Sequence, residues 1–198
     1  FDKLSPQLKQ FKMGRATHEA VGQIYHHSYG ILNKDTLTEK FEALFADLTF
    51  NTDHALGLIG RYLIVKKILE NALLSGKIAS MASLACGAGE AVTSAVAKAR
   101  GNGINVKTAF FDINTKAFEI VEKQLLSIPG GDNDNVLYLT NVIKNREWFS
   151  VLPIEALELV GIIDYIPDSR LVDFLRSLKN PRLKLLLSCN ILRKSGII

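Results

Sequence analysis

The eight residues Ser83-Leu84-Ala85-Cys86-Gly87-Ala88-Gly89-Glu90 join an uncharged apolar run to a run of small residues at helical spacing, and this junction constrains the chain more than any other stretch. Residues 78–85 carry no charge and read as a buried strand. Beyond the turn, Ala91, Val92, Ala95, Val96 and Ala99 recur with the period of a helix, and Gly101 offers a stop. A strand that enters a helix through glycines leaves the first helical N–H groups without intrahelical partners and lets a ligand approach the main chain closely. Such a junction suits a nucleotide-like cofactor; the same small residues also serve packing alone.

From residue 77 onward strand and helix alternate. Strands are expected over residues 78–85, 106–111, 136–139, 157–163 and 183–188. Amphipathic helices lie between them, one through Phe118, Val121 and Leu125, another through Leu171, Phe174, Leu175 and Leu178 with Asp168 or Ser169 as its cap. This alternation predicts an α/β fold with a mostly parallel sheet, helices on both faces and right-handed crossovers. Ligands of such sheets bind beyond the carboxyl ends of the strands, at the switch in strand order. Gly87, Gly89, Asp112, Asn141, Asp164 and Asn190 all fall at such ends. Asp112 closes the second strand about 20 residues past the glycines, the place from which a carboxylate reaches both ribose hydroxyls of a nucleotide cofactor. Its other reading is a helix cap, a role that Asn114 or Thr115 can take equally well.

Residues 1–76 read as a helical region. Thr36 with Glu39 forms a capping box ahead of Leu37, Phe41, Leu44, Phe45 and Leu48, and a second helix runs over residues 61–74. His18, His26 and His27 share one expected helix, but adjacent histidines face different directions and no Cys or carboxylate stands at ligand spacing, so no metal site is expected.

The glycine positions separate two cofactor classes. The dinucleotide fingerprint G-x-G-x-x-G needs a third glycine where Val92 stands, which weighs against a nicotinamide-dependent oxidoreductase. The loop instead resembles motif I of the class I S-adenosylmethionine-dependent methyltransferases, D-x-G-x-G-x-G, aligned on Ser83, Ala85, Gly87 and Gly89, in the S-L-A-C-G variant of bacterial members. Ala85 keeps a small side chain; Ser83 stands where the family has a carboxylate. Gly161-Ile162-Ile163-Asp164-Tyr165-Ile166-Pro167-Asp168 resembles the G-L-x-D-Y-L-x-D stretch of small-molecule members, where it faces the acceptor. The resemblance covers residues 78–190.

It implies a Rossmann-like domain over residues 77–198 with S-adenosylmethionine as cofactor and S-adenosylhomocysteine as product. Ser83, Ala85, Cys86, Gly87, Gly89, Asp112, Ile113, Asn141 and Val142 would surround the cofactor, with Asn141 either beside the adenine or a plain turn residue. Asp164 and Tyr165 would serve as base or orienting groups, or else as a cap and a packed ring. Residues 1–76 would form a helical cap over the cofactor, bringing Tyr25, His26, Tyr29 and Arg61, with Asn190, to the acceptor pocket. The family closes its sheet with a sixth strand and an antiparallel seventh, so the C-terminal strands are expected to be missing here. A chain that begins at Phe1 is likewise expected to have lost its start.

The remaining evidence narrows the acceptor. No D/N-P-P-Y/F motif is present and neither cysteine follows a proline, which points away from nucleobase N6 or C5 methylation and toward a small-molecule or lipid-like acceptor. A non-catalytic binding module of the same fold is the alternative. With 47% hydrophobic and 22% charged residues the chain reads as globular, and its net charge of +4 is not gathered into a nucleic-acid-binding patch. Two cysteines suit a reducing cytoplasm, and no stretch approaches the ~20 apolar residues of a membrane helix.

Overall fold

The computed structural model describes residues 53–128, 130 and 134–189. Of the expected helical region, residues 1–52 lie outside the described residues. Two compact units divide the chain, Phe1–Tyr62 and Leu63–Ile198.

Helix α1 (Asp53–Leu74) starts eight residues before the expected Arg61. Gly57 and Gly60 weaken a helix without breaking it, at about 1 kcal/mol each, and no proline interrupts the run. Its part in the second unit buries Val65, Leu69 and Leu73.

The order of elements then follows the alternation: β1 (Ser80–Leu84), α2 (Glu90–Gly101), β2 (Lys107–Asp112), α3 (Thr115–Leu126), β3 (Asn135–Leu139), β4 (Ala156–Glu158), α4 (Asp168–Ser177) and β5 (Leu185–Leu187), with 3₁₀ turns at Arg146–Ser150 and Ile163–Tyr165. The strands form one sheet in the order β3-β2-β1-β4-β5, and every pair is parallel. After β3 the chain crosses back over β1 to place β4 on its other side. The switch in strand order therefore lies between β1 and β4, which is where such sheets open a crevice at their carboxyl edge.

Both faces of the sheet are covered, as expected. On one, Val65, Leu69 and Leu73 of α1 pack with Val92 and Val96 of α2, Val121 of α3 and Phe110 of β2. On the other, Phe111 packs with Phe149, Leu157, Leu159, Phe174 and Leu178. Phe110 and Phe111 are neighbours in sequence and point to opposite faces because side chains alternate along a strand. Each is fully buried and contributes about 2–3 kcal/mol. Phe111 also stacks on Tyr138 at 4.6 Å and meets Phe149 edge-on at 5.1 Å.

Three expectations are corrected. The fourth strand is not residues 157–163 but Ala156–Glu158. Leu159 N still reaches Leu187 O at 3.0 Å, yet Val160 N–H folds back onto Glu158 Oε1 at 2.8 Å and Gly161 adopts φ 84°, so the chain leaves the ladder. The fifth strand is shortened to Leu185–Leu187 because Leu183 N closes a turn onto Asn180 O at 3.1 Å. Finally, Pro167 occupies the N-cap of α4, and Asp168 sits inside the first turn, where its charge complements the helix dipole.

The amino edge of the sheet is pinned by one side chain. Glu155 accepts from Ala79 N at 2.7 Å and from Lys184 Nζ at 2.5 Å, tying the entries of β1, β4 and β5 together. Among the described residues no helix is long and apolar enough to cross a membrane.

Candidate functional site

At the end of β1 the backbone turns left-handed three times, at Ala85 (φ 53°), Gly87 (φ 53°) and Gly89 (φ 61°). An alanine in this region costs roughly 1–2 kcal/mol relative to its ordinary conformation. The turn is held regardless: Cys86 N donates to Phe111 O at 3.1 Å, and Gly89 N to Cys86 O at 2.8 Å. Gly89 is demanded twice over, because a Cβ there would lie 3.0 Å from Val121 Cγ2 and 3.2 Å from Phe110 Cε1. Its role includes close packing of the loop onto α3 and β2. Gly87 has a different task, donating its N–H to Asp112.

Asp112 ends β2, half-buried. Its Oδ2 accepts from Gly87 N at 2.9 Å and its Oδ1 from Asn114 N at 2.9 Å. Each carboxylate oxygen has a further acceptor direction beyond these bonds, which suits paired hydroxyls. The side-chain cap of α3 is Asn114, whose Oδ1 accepts from Lys116 N at 3.1 Å, so Asp112 is not spent on that role. Ile113, next in sequence, is 69% exposed.

Cys86 Sγ lies 4.0 Å from Asp112 Oδ2 and 3.6 Å from Gly87 O. Burial pushes its thiol well above the usual range, and the negative charges of Asp112 and then Glu158 push it further, against a smaller opposing backbone hydrogen bond. A raised pKa keeps it in the thiol form at neutral pH and lowers its reactivity.

Other expected positions behave differently. Asn141 Oδ1 accepts from Ile143 N and Lys144 N, both at 3.1 Å, which is the geometry of a turn residue. Val142 is buried in the second core. Asp164 and Tyr165 share the single 3₁₀ turn after β4, and Tyr165 is 74% exposed. Arg61 is half-buried on α1 within the first unit. Tyr25, His26, Tyr29 and Asn190 lie outside the described residues. Among the described residues no group of three His, Cys, Asp or Glu side chains gathers as a metal site would require.

One residue at this edge of the sheet was not anticipated. Ser83, buried on β1, is the register partner of Glu158 on β4, and its Oγ donates to Glu158 Oε2. Glu158 is also buried. Its signal in the sequence is an acid inside the apolar run Ala156-Leu157-Glu158-Leu159-Val160. The structure thus gathers Ser83, Ala85, Cys86, Gly87, Gly89, Asp112 and Glu158 at the carboxyl edge of β1, β2 and β4. Such an edge can hold a ligand bearing vicinal hydroxyls on the β2 side and a cationic group on the β4 side.

No protein-family model matches the chain, and no curated protein matches it in sequence. Solved structures do match. A possible exported protein from Bordetella parapertussis is 14% identical with a TM-score of 0.62, over 87% of this chain and 53% of that one. A SAM-dependent methyltransferase from Agrobacterium tumefaciens is 13% identical with a TM-score of 0.50, over 66% and 45%. A candidate methyltransferase from Thermobifida fusca is 12% identical with a TM-score of 0.54, over 85% and 64%. The chain spans about half the length of the first two of these proteins. At such identities the likeness is one of fold.

Proposed function

We propose that this chain, whose fold is that of the class I S-adenosylmethionine-dependent methyltransferases, binds S-adenosylmethionine at the carboxyl edge of β1 and β2. There it serves methyl transfer to a small-molecule or lipid-like acceptor. The observation that carries this reading is Asp112, a half-buried carboxylate at the end of the second strand tied to the left-handed glycine turn at the end of the first.

The residues fit the group. Asp112 would accept from the ribose hydroxyls, Ile113 would offer an apolar surface to the adenine, and the turn Ala85 to Gly89 would let the amino-acid tail lie against backbone. The bound cofactor supplies a methyl group already activated on a sulfonium. The protein's share is to hold the acceptor atom in line and to exclude water, with a base needed only where that atom loses a proton. Asp164 or Tyr165, in the turn after β4, would take that proton or orient the acceptor.

Calorimetric titration with S-adenosylmethionine and S-adenosylhomocysteine tests the binding step, with NADH as the contrasting ligand. Transfer of a radiolabelled methyl to small molecules or lipids from a cell extract tests the reaction. Binding of S-adenosylhomocysteine and labelling of an extractable acceptor are expected. Absence of binding to either adenosine ligand would overturn the reading, and binding without transfer would reduce it to a binding module.

A further inference from the structure

The family resembled here places a carboxylate at the first position of the glycine motif, and this chain places Ser83 there. The sheet nevertheless brings an acid to the same spot. Ser83 on β1 and Glu158 on β4 are partners in the parallel register, 75 residues apart in sequence, and both are buried. Partners in register project to the same face of a sheet. The Ser83 hydroxyl donates to Glu158 Oε2 while Val160 N–H donates to Oε1 at 2.8 Å, so each carboxylate oxygen is held by its own donor.

Resting on the methyl-donor reading above, we infer that Glu158 receives the α-ammonium of the cofactor's amino-acid tail, with Ser83 positioning it, so that the acid missing from β1 is supplied by β4. Four arguments support this. β1 and β4 flank the switch in strand order, where the sheet opens its crevice, and the turn that would carry the tail starts two residues after Ser83. Asp112 and Glu158 both raise the Cys86 thiol from neighbouring strands on opposite sides of β1, so the loop runs between two acids. Asp112 is suited to neutral hydroxyls, whereas the tail of S-adenosylmethionine brings positive charge at its ammonium. Moreover, an acid inside an apolar three-residue strand is costly to bury, and a hydrophobic residue of similar volume is often at least as stable in such a place, so its presence calls for a use beyond packing.

The test compares three ligands by calorimetry: S-adenosylhomocysteine, its analogue lacking the α-amino group, and 5′-methylthioadenosine, which lacks the whole tail. For the unaltered protein, removal of the amino group is expected to weaken binding about tenfold or more, the scale of one charge-assisted hydrogen bond. Glu158→Gln should produce the same loss for S-adenosylhomocysteine while leaving 5′-methylthioadenosine within about twofold. The double variant Ser83→Asp/Glu158→Gln, which returns the acid to β1, should restore most of the lost affinity. Equal affinity of the unaltered protein for S-adenosylhomocysteine and its deaminated analogue would overturn the inference without any variant having to fold. So would an equal loss of all three ligands in Glu158→Gln. Because 5′-methylthioadenosine reports on the adenosine site alone, failure of both it and S-adenosylhomocysteine to bind the unaltered protein would instead sink the methyl-donor reading, and this inference with it.

Discussion

Asp112 Oδ2 receives the N–H of Gly87 at 2.9 Å, so the acid that ends the second strand and the turn that ends the first behave as one unit. The bond ties the loop to the end of β2, and it makes the two halves of the candidate site depend on each other. Loosening either one loosens both.

Asp112→Ala should therefore weaken S-adenosylhomocysteine binding by about 1.5–3 kcal/mol, the range for hydrogen bonds to a charged group. It should also lower the thermal midpoint, because Gly87 N–H loses its partner. Asp112→Asn, which keeps the shape and one oxygen, should lose less on both counts. Calorimetry and a melting curve read the two effects separately, and unchanged affinity in Asp112→Ala would remove the residue from the site.

Gly89→Ala should destabilise the fold by about 2 kcal/mol or more. A left-handed alanine accounts for roughly 1–2 kcal/mol of this, and overpacking against Val121 and Phe110 for roughly 1–3 kcal/mol. Combining it with Val121→Ala relieves the overpacking but not the backbone strain. The pair should be less destabilised than the sum of the two single changes in chemical denaturation. Simple additivity would mean that the contact is not the cause.

Glu155 gives the fold a pH dependence. Its carboxyl is held below the ordinary carboxylate range, first by the N–H of Ala79 and then by Lys184. A lowered folded-state pKa means the stabilisation is present above the unfolded value, about pH 4.3, and is lost as pH falls through the lower folded value. Glu155→Gln should thus be less stable than the unaltered chain near neutrality, and the two stabilities should converge in acid. Urea midpoints measured across that range check the convergence.

Cys86 should be slow to alkylate. In the folded protein at pH 8 it should react with iodoacetamide at least about tenfold more slowly than in the urea-unfolded chain, since its raised pKa lowers the thiolate fraction. Asp112→Asn and Glu158→Gln each remove a charge that raises this pKa, and each should speed the reaction. Peptide mass spectrometry after timed quenching measures the rate, and a native rate equal to the unfolded one would mean that the thiol is open to water and ionises normally.

Local patterns carried much of this protein. The uncharged run before Ala85, the helical spacing from Ala91 to Ala99 and the β-rich stretch closing on Asp112 are each visible within a dozen residues, because strand and helix periods and turn chemistry act between near neighbours. They were enough to set the strand-helix alternation, the parallel sheet, the glycine turn and the acid beside it. The ends of β4 and β5 were not legible in that way. Apolar runs such as residues 157–163 look alike whether they extend or turn, and it is the Val160 N–H on Glu158 that stops the strand. Nor could any pattern pair Ser83 with Glu158. That contact exists only because the fourth strand docks beside the first, and strand order and register are settled by burial of side chains from distant segments against one another. The sequence alone thus determined which elements form and the turn and acid at the ends of β1 and β2, while the packing of the sheet decided that Glu158 stands beside Ser83.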